Sequence, residues 1–117
     1  MESLKKNGDF KQVYNQRRSE ANRLLVMYVR KNGQLNNRLG VSISRKVGQA
    51  VARNRLKRLI KEQMRLHKNE LTAGYDVIVV VRKGAAGANF TQIGQSLLNL
   101  LDKHKIRGTL NANTPLL

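Results

Sequence analysis

The chain has 117 residues, with 23 Lys and Arg against 7 Asp and Glu, a formal charge of +16. That length holds one modest core, and a hydrophobic share of 40% is too high for a disordered basic tail. The absence of cysteine excludes disulfide staples, thiolate zinc sites and a cysteine nucleophile, and it suits a reducing cytoplasm. No apolar run approaches the roughly 20 residues needed to cross a bilayer, and Met1 to Lys6 is not followed by the core of a signal peptide. A small, soluble, strongly basic domain remains, and its expected partner is a polyanion, nucleic acid before membrane.

Asn7-Gly8-Asp9 offers a helix cap, and Phe10, Val13 and Tyr14 follow at i, i+3 and i+4, predicting a short helix with one apolar edge. Ser19 to Arg23 can add a short strand. Leu24 to Arg30 is rich in strand formers, and Lys31 to Asn37 reads as a hairpin loop. Arg38 to Ser44 alternates, with Leu39, Val41 and Ile43 on one face and Gly40, Ser42 and Ser44 on the other. Gln49 to Lys68 is the longest helical stretch. Tyr75 to Arg82 is apolar on both faces, the pattern of a central strand. Gly84 to Ala88 reads as a flexible link without the Lys-Ser/Thr ending of a phosphate loop. Phe90, Ile93, Leu97, Leu100, Leu101 and His104 then recur at helical spacing. The expected fold is an α/β (α+β) two-layer sandwich: three helices on a small, mostly antiparallel four-stranded sheet. Residues 1–108 form a single domain, and 109–117, without a clear period, form a weakly ordered C-terminal tail.

Ten cations lie between Arg38 and Lys68, and Glu62 is the one acid among them. On a helical wheel Ala52, Leu56, Leu59, Ile60 and Leu66 share one broad side, with Val51 and Met64 at its edges. Asn54, Lys57, Arg58, Lys61, Arg65 and Lys68 share the other, with Arg53 and Arg55 at the seam. Such a cationic ridge can neutralise several phosphates at once and release their counterions. The alternative, an ordinary solvated face, would mix in acidic residues at i,i+4, and this face lacks them. The acids Glu2, Asp9, Glu20, Glu62, Glu70, Asp76 and Asp102 form no paired motif, and His67 and His104 lie on different segments, so no catalytic side chain and no metal-ligand set is expected.

The segment Arg45 to Glu62, centred on Arg53-Asn54-Arg55 and followed by Leu56-Lys57-Arg58, closely resembles the signature of the bacterial ribonuclease P protein subunit. Arg38-Leu39-Gly40-Val41-Ser42-Ile43-Ser44, Lys5 to Phe10 and Ala21-Asn22-Arg23 resemble further blocks of that family, in order. The resemblance implies a left-handed βαβ crossover and a protein that pairs with a catalytic RNA to remove the 5′ leader of precursor tRNA. The RNA performs the hydrolysis with Mg²⁺, and the protein binds no cofactor of its own and requires no protein partner. By the same resemblance Lys46, Arg53, Asn54, Arg55, Lys57, Arg58, Lys61 and Arg65 face the catalytic RNA. Phe10, Tyr14 and Tyr28, with a floor of Ser42 and Ser44 inferred from strand alternation, hold the leader. Unpaired bases can stack on such rings, although the apolar spacing of Phe10 and Tyr14 equally suits core packing. Two other readings, a structural RNA-binding protein such as a ribosomal component and a self-contained metal-dependent nuclease, share the charge but lack the motif context.

Overall fold

The computed structural model describes residues 1–108; the expected C-terminal tail lies outside the described residues. In chain order the elements are β1 (Glu2–Ser3), α1 (Asn7–Asn15), β2 (Ser19–Ala21), β3 (Leu25–Lys31), β4 (Arg38–Ser42), α2 (Ala50–Leu66), β5 (Tyr75–Val81) and α3 (Phe90–Lys103). Short 3₁₀ turns at Arg45–Val47, Lys68–Glu70 and Lys83–Ala85 link them.

The sheet is mixed and five-stranded, in the order β1-β4-β5-β3-β2, which corrects the expected four-stranded, mostly antiparallel sheet. β5 is the centre, as its two-sided apolar pattern requires. It pairs antiparallel with β3 (Tyr28 opposite Ile78) and parallel with β4 (Gly40 opposite Ile78), and α2 supplies the crossover between β4 and β5. β1 adds a two-residue parallel strand to the far side of β4. It has too few residues to show a period, so nothing in the local pattern announces it.

Because β5 lies between β3 and β4, Lys31 to Asn37 does not close a hairpin. It bridges the start of β5 and is pinned there by side chains that satisfy loose backbone groups. The Asn32 oxygen accepts from Gln34 N at 2.8 Å, and the Asn37 oxygen accepts from Tyr75 N at 2.8 Å. Gly74 closes the approach with φ +88°, and a Cβ there would stand 2.9 Å from the Gln34 carbonyl oxygen.

Helices cover both faces, so where α1 lies the sheet is the middle of three layers, not one of two. On one face α2 and α3 pack Leu56, Ile60, Met64, Ile93, Leu97 and Leu100 onto Leu25, Met27, Val29, Val77 and Val79. On the other, Leu4 and Val13 pack on Ile78, flanked by half-buried Phe10, Tyr14 and Tyr28. The wheel of α2 needs two corrections. Leu66 is 52% exposed and Val51 83%, whereas Gln63 is buried. Gln63 lies against Gly94 and donates from Nε2 to the Phe90 carbonyl at 3.0 Å, so a satisfied polar group fills the helix crossing.

Two local readings also change. Asn7 is the first helical residue of α1 and Lys6 occupies the cap position without a side-chain cap. Gly84 to Ala88 is no loose link, because Ala85 and Ala88 are buried and a 3₁₀ turn begins at Lys83. His104 ends α3 as a buried packing residue, and its Nε2 bonds the Met27 carbonyl at 2.8 Å. Burial favours its neutral form and holds its pKa below the ordinary value, against the pull of that hydrogen bond.

Candidate nucleic-acid interface

The helical period of α2 turns its cations outward, and the structure divides them into two kinds. Asn54, Lys57, Arg58 and Lys61 are exposed, as is Lys46 in the 3₁₀ turn ahead of the helix. Among the described residues, Lys46, Lys57, Arg58 and Lys61 make no side-chain hydrogen bond or ion pair. Their charge is therefore available to a partner. The others are tethered. Arg53 donates from Nε to the Gly48 carbonyl at 3.1 Å, and Arg55 from Nη2 to the Ala86 carbonyl at 3.3 Å. Neutral backbone acceptors orient both guanidinium planes and offset none of their charge. Arg65 instead binds Glu62 through two hydrogen bonds of 2.8 and 2.7 Å. The Arg65 hydrogen bond holds the Glu62 carboxyl below its usual range, so this end of the ridge is locally neutralised.

The aromatic residues meet across α1 and the sheet. Tyr14 and Tyr28 pack edge to face at a centroid distance of 4.8 Å, and Phe10 stands 6.4 Å from Tyr14. All three are half-buried, so each packs with one side and offers the other. Burial pushes the Tyr14 hydroxyl pKa up, a hydrogen bond with Ser42 pulls it down, and neighbouring Tyr28 adds to the rise. Ser42, two residues on from Gly40 in β4, shares the sheet face of Tyr28 and Ile78 and so belongs to the cluster. Ser44 does not: it is exposed, past the end of β4, and it opens the turn at Arg45–Val47.

Spacing in the chain says nothing of how the two groups meet, and β4 joins them. A groove of about 320 Å³ runs along the part of its outer edge that β1 leaves open, lined by Leu4, Phe10, Gly40 and Val41 with Lys57 and Lys61. A second of about 150 Å³, lined by Val41, Ile43, Arg53, Asn54 and Lys57, adjoins it through Val41 and Lys57. Gly40 is what brings Phe10 so close: a Cβ there would lie 2.6 Å from the ring's Cζ. Leu4, Val41 and Lys5, which reach the groove through the tertiary fold, carry no local signal that marks them as lining residues.

Asp76, Asp9 and Glu70 are engaged away from the ridge. Asp76 is fully buried under Arg38, Arg30 and Asn32, and Asp9 faces Arg38 at 3.4 Å. His67 pairs with Glu70 at 2.6 Å. Among the described residues no three His, Cys, Asp or Glu side chains are grouped to hold a metal ion. No helix among them is long and apolar enough to cross a membrane.

Comparison with known proteins gives a consistent result. The family pattern described as ribonuclease P matches residues 1–105. The ribonuclease P protein component of Lachnoclostridium phytofermentans is 46% identical over 105 residues, spanning 90% of this chain and 90% of the relative. That of Clostridium kluyveri is 46% identical over 102 residues, spanning 86% and 91%. Among solved structures, the Staphylococcus aureus RNase P protein superposes with a TM-score of 0.85 at 38% identity, covering 92% of this chain and 99% of that one. The Thermotoga maritima RNase P protein superposes at 0.80 with 34% identity, covering 88% and 97%.

Proposed function

The chain belongs to the ribonuclease P protein family and is a protein subunit of that endoribonuclease, whose RNA component performs catalysis; from this premise we infer that its α2 ridge lies on the catalytic RNA while the groove beside α1 holds the 5′ leader of precursor tRNA. The observation that carries this reading is the shared lining of the groove, where Lys57 and Lys61 from α2 meet Phe10 from α1 beside Gly40.

On this reading Lys46, Arg53, Asn54, Arg55, Lys57, Arg58 and Lys61 meet phosphates and sugar edges of the catalytic RNA, with Arg65 joining once it leaves Glu62. Cationic contacts of this kind release counterions and give affinity without sequence preference. An unpaired leader entering along the open edge of β4 passes Phe10 and reaches Tyr14 and Tyr28, whose free faces take stacked bases. Mature tRNA lacks that strand, so the groove favours substrate over product. The Mg²⁺ ions that support hydrolysis sit with the RNA, and cationic side chains nearby lower the Mg²⁺ concentration that assembly needs by sharing the neutralisation of phosphate. The reading keeps the left-handed hand of the β4–α2–β5 crossover that the family implies, and the cytoplasm as the site of action.

Reconstitution tests it. Purified protein added to a bacterial ribonuclease P RNA at low Mg²⁺ is expected to restore leader removal and to tighten binding of precursor over mature tRNA. Failure to enhance cleavage overturns the assignment of the ridge. Enhancement without any preference for precursor overturns the assignment of the groove.

A further inference from the structure

We propose that a cavity between β1 and the C-terminal half of α2 receives one unpaired base of the catalytic RNA, a base that carries an exocyclic amino group. The cavity measures about 210 Å³. Its apolar floor is Leu39 of β4 and Met64 of α2, 8% and 1% exposed, with Met1 beside them, and its charged rim is Lys61, Arg65 and Glu2. Pockets that enclose drug-sized ligands run from roughly 300 to 1,000 Å³, so this one has room for a single ring system and not for a stretch of strand. Local pattern marks none of it: β1 brings Glu2 beside α2 only by pairing with Arg38 and Leu39.

Each wall suits a different part of a nucleotide. Apolar side chains cover the faces of a ring, and the polarisable sulfur of Met64 favours aromatic contact. Lys61, exposed and without a side-chain hydrogen bond or ion pair among the described residues, is left for the phosphate. Glu62 holds Arg65 through two hydrogen bonds, so its guanidinium stands at the mouth as a fixed plane. Contact with phosphate needs that pair to open; stacking on a base does not. Glu2 is exposed and makes no side-chain hydrogen bond or ion pair among the described residues. An ionised carboxylate only accepts, so it selects a base edge that donates: adenine, cytosine and guanine present an amino group, and uracil does not.

An acid at this place is otherwise unfavourable. At the end of a ridge that binds phosphate, Glu2 repels the RNA backbone and weakens binding unless it gains a hydrogen bond. A void left beside the short β1 would be apolar and closed, whereas three exposed charged side chains rim this cavity. The cavity adjoins the groove through Leu39 and Lys61 and continues the ridge toward Arg65. Among the described residues its lining has no part of α1 and no aromatic ring, so the rings that hold the leader lie apart from it. Lys61 and Arg65 are instead residues of the surface that meets the catalytic RNA.

This inference rests on the ridge lying on the catalytic RNA, and the experiment separates the two claims. The chain has three methionines, of which Met1 and Met64 line the cavity and Met27 is buried in the core. The full chain with isotope-labelled methionine methyl groups is followed by NMR during titration with AMP, CMP, GMP, UMP and inorganic phosphate, then with ribonuclease P RNA, then with precursor tRNA. The Met1 and Met64 signals are expected to move with AMP, CMP, GMP and the RNA, less with UMP and not with phosphate, while Met27 stays fixed. Glu2→Ala removes a negative charge, so phosphate attraction alone gives tighter RNA binding. The cavity instead gives an affinity lower by roughly tenfold, the discrimination of one base contact, with the circular dichroism spectrum unchanged. RNA binding by the parent with Met1 and Met64 unmoved overturns this proposal and spares the ridge, and so does Glu2→Ala binding as tightly as the parent or tighter. Movement with phosphate, or equal movement with all four nucleotides, also overturns it. Movement that begins only when precursor tRNA is added assigns the cavity to the leader and overturns it likewise. No binding of RNA by the parent overturns the ridge reading itself.

Discussion

Arg38 grips the buried carboxylate of Asp76 with two hydrogen bonds, Nε to Oδ1 at 2.8 Å and Nη2 to Oδ2 at 2.7 Å. The two residues are register partners across β4 and β5, and Arg30 is the partner of Asp76 on the other side, at 3.3 Å. Arg38 also faces Asp9 in the first turn of α1 at 3.4 Å. One carboxylate thus stitches three strands, and its arginine ties the helix that carries Phe10 and Tyr14 to the sheet beside the groove. Burial pushes the Asp76 pKa up, but the hydrogen bonds from Arg38 and Asn32 and the charges of Arg38 and Arg30 outweigh it and hold the carboxyl below its usual value.

Removing that charge leaves Arg38, half-buried, with only its longer contact to Asp9 at 3.4 Å. Asp76→Asn is expected to destabilise the fold by about 3 kcal/mol, read from urea unfolding. The pH dependence has a definite sign. A depressed carboxyl contributes stability that is complete above the ordinary value of 3.8 and is lost as pH falls through its lower folded value. The variant is therefore expected to lose part of the acid-side slope of stability against pH that the parent shows.

At the groove, Gly40→Ala places a methyl 2.6 Å from Cζ and 2.9 Å from Cε2 of Phe10. The ring must move, because the methyl is fixed by the strand. A cost of about 1–3 kcal/mol is expected in thermal unfolding, as for overpacking in general. The ratio of precursor to mature tRNA affinity in the holoenzyme should fall with it.

Tyr14 separates stacking from packing. Tyr14→Phe keeps the ring against Tyr28 and loses the hydrogen bond with Ser42, so it should retain most of the preference for precursor tRNA. Tyr14→Ala removes the stacking face and should lower that preference by about 1–3 kcal/mol, the usual worth of one base on an aromatic ring. Equal losses for precursor and mature tRNA would show general weakening instead of leader contact.

Along α2 the prediction distinguishes free from paired cations. Lys57→Ala and Lys61→Ala should each reduce the slope of log affinity for the catalytic RNA against log salt by about one. Arg65→Ala should change it less, because Glu62 already offsets that charge. A full unit lost at Arg65 would mean that the ion pair opens on the RNA.

Much of this was legible from local pattern. The apolar stripe and cationic ridge of α2 follow from a 3.6-residue period, and the central place of β5 from five consecutive apolar residues. The resemblance named the residues of the ridge and the aromatic positions. Leu66 is exposed and Gln63 buried because a wheel describes one helix alone, whereas α3 crosses α2 at Gly94 and selects the side chain that is covered. The hairpin at Lys31 to Asn37 failed for a similar reason: turn-forming residues mark a change of direction and do not say which strand lies next.

By itself the sequence determined the kinds of element, the face each helix buries, the concentration of charge on α2 and the family, because each is written in short-range periodicity or in an ordered motif. Only the tertiary structure decided the strand order, the two-residue β1, the burial of Asp76 between Arg30 and Arg38, and the groove that Lys57 and Lys61 line together with Phe10. These depend on pairing between residues far apart in the chain, and such pairing is chosen by the joint packing of both sheet faces, which no single segment encodes.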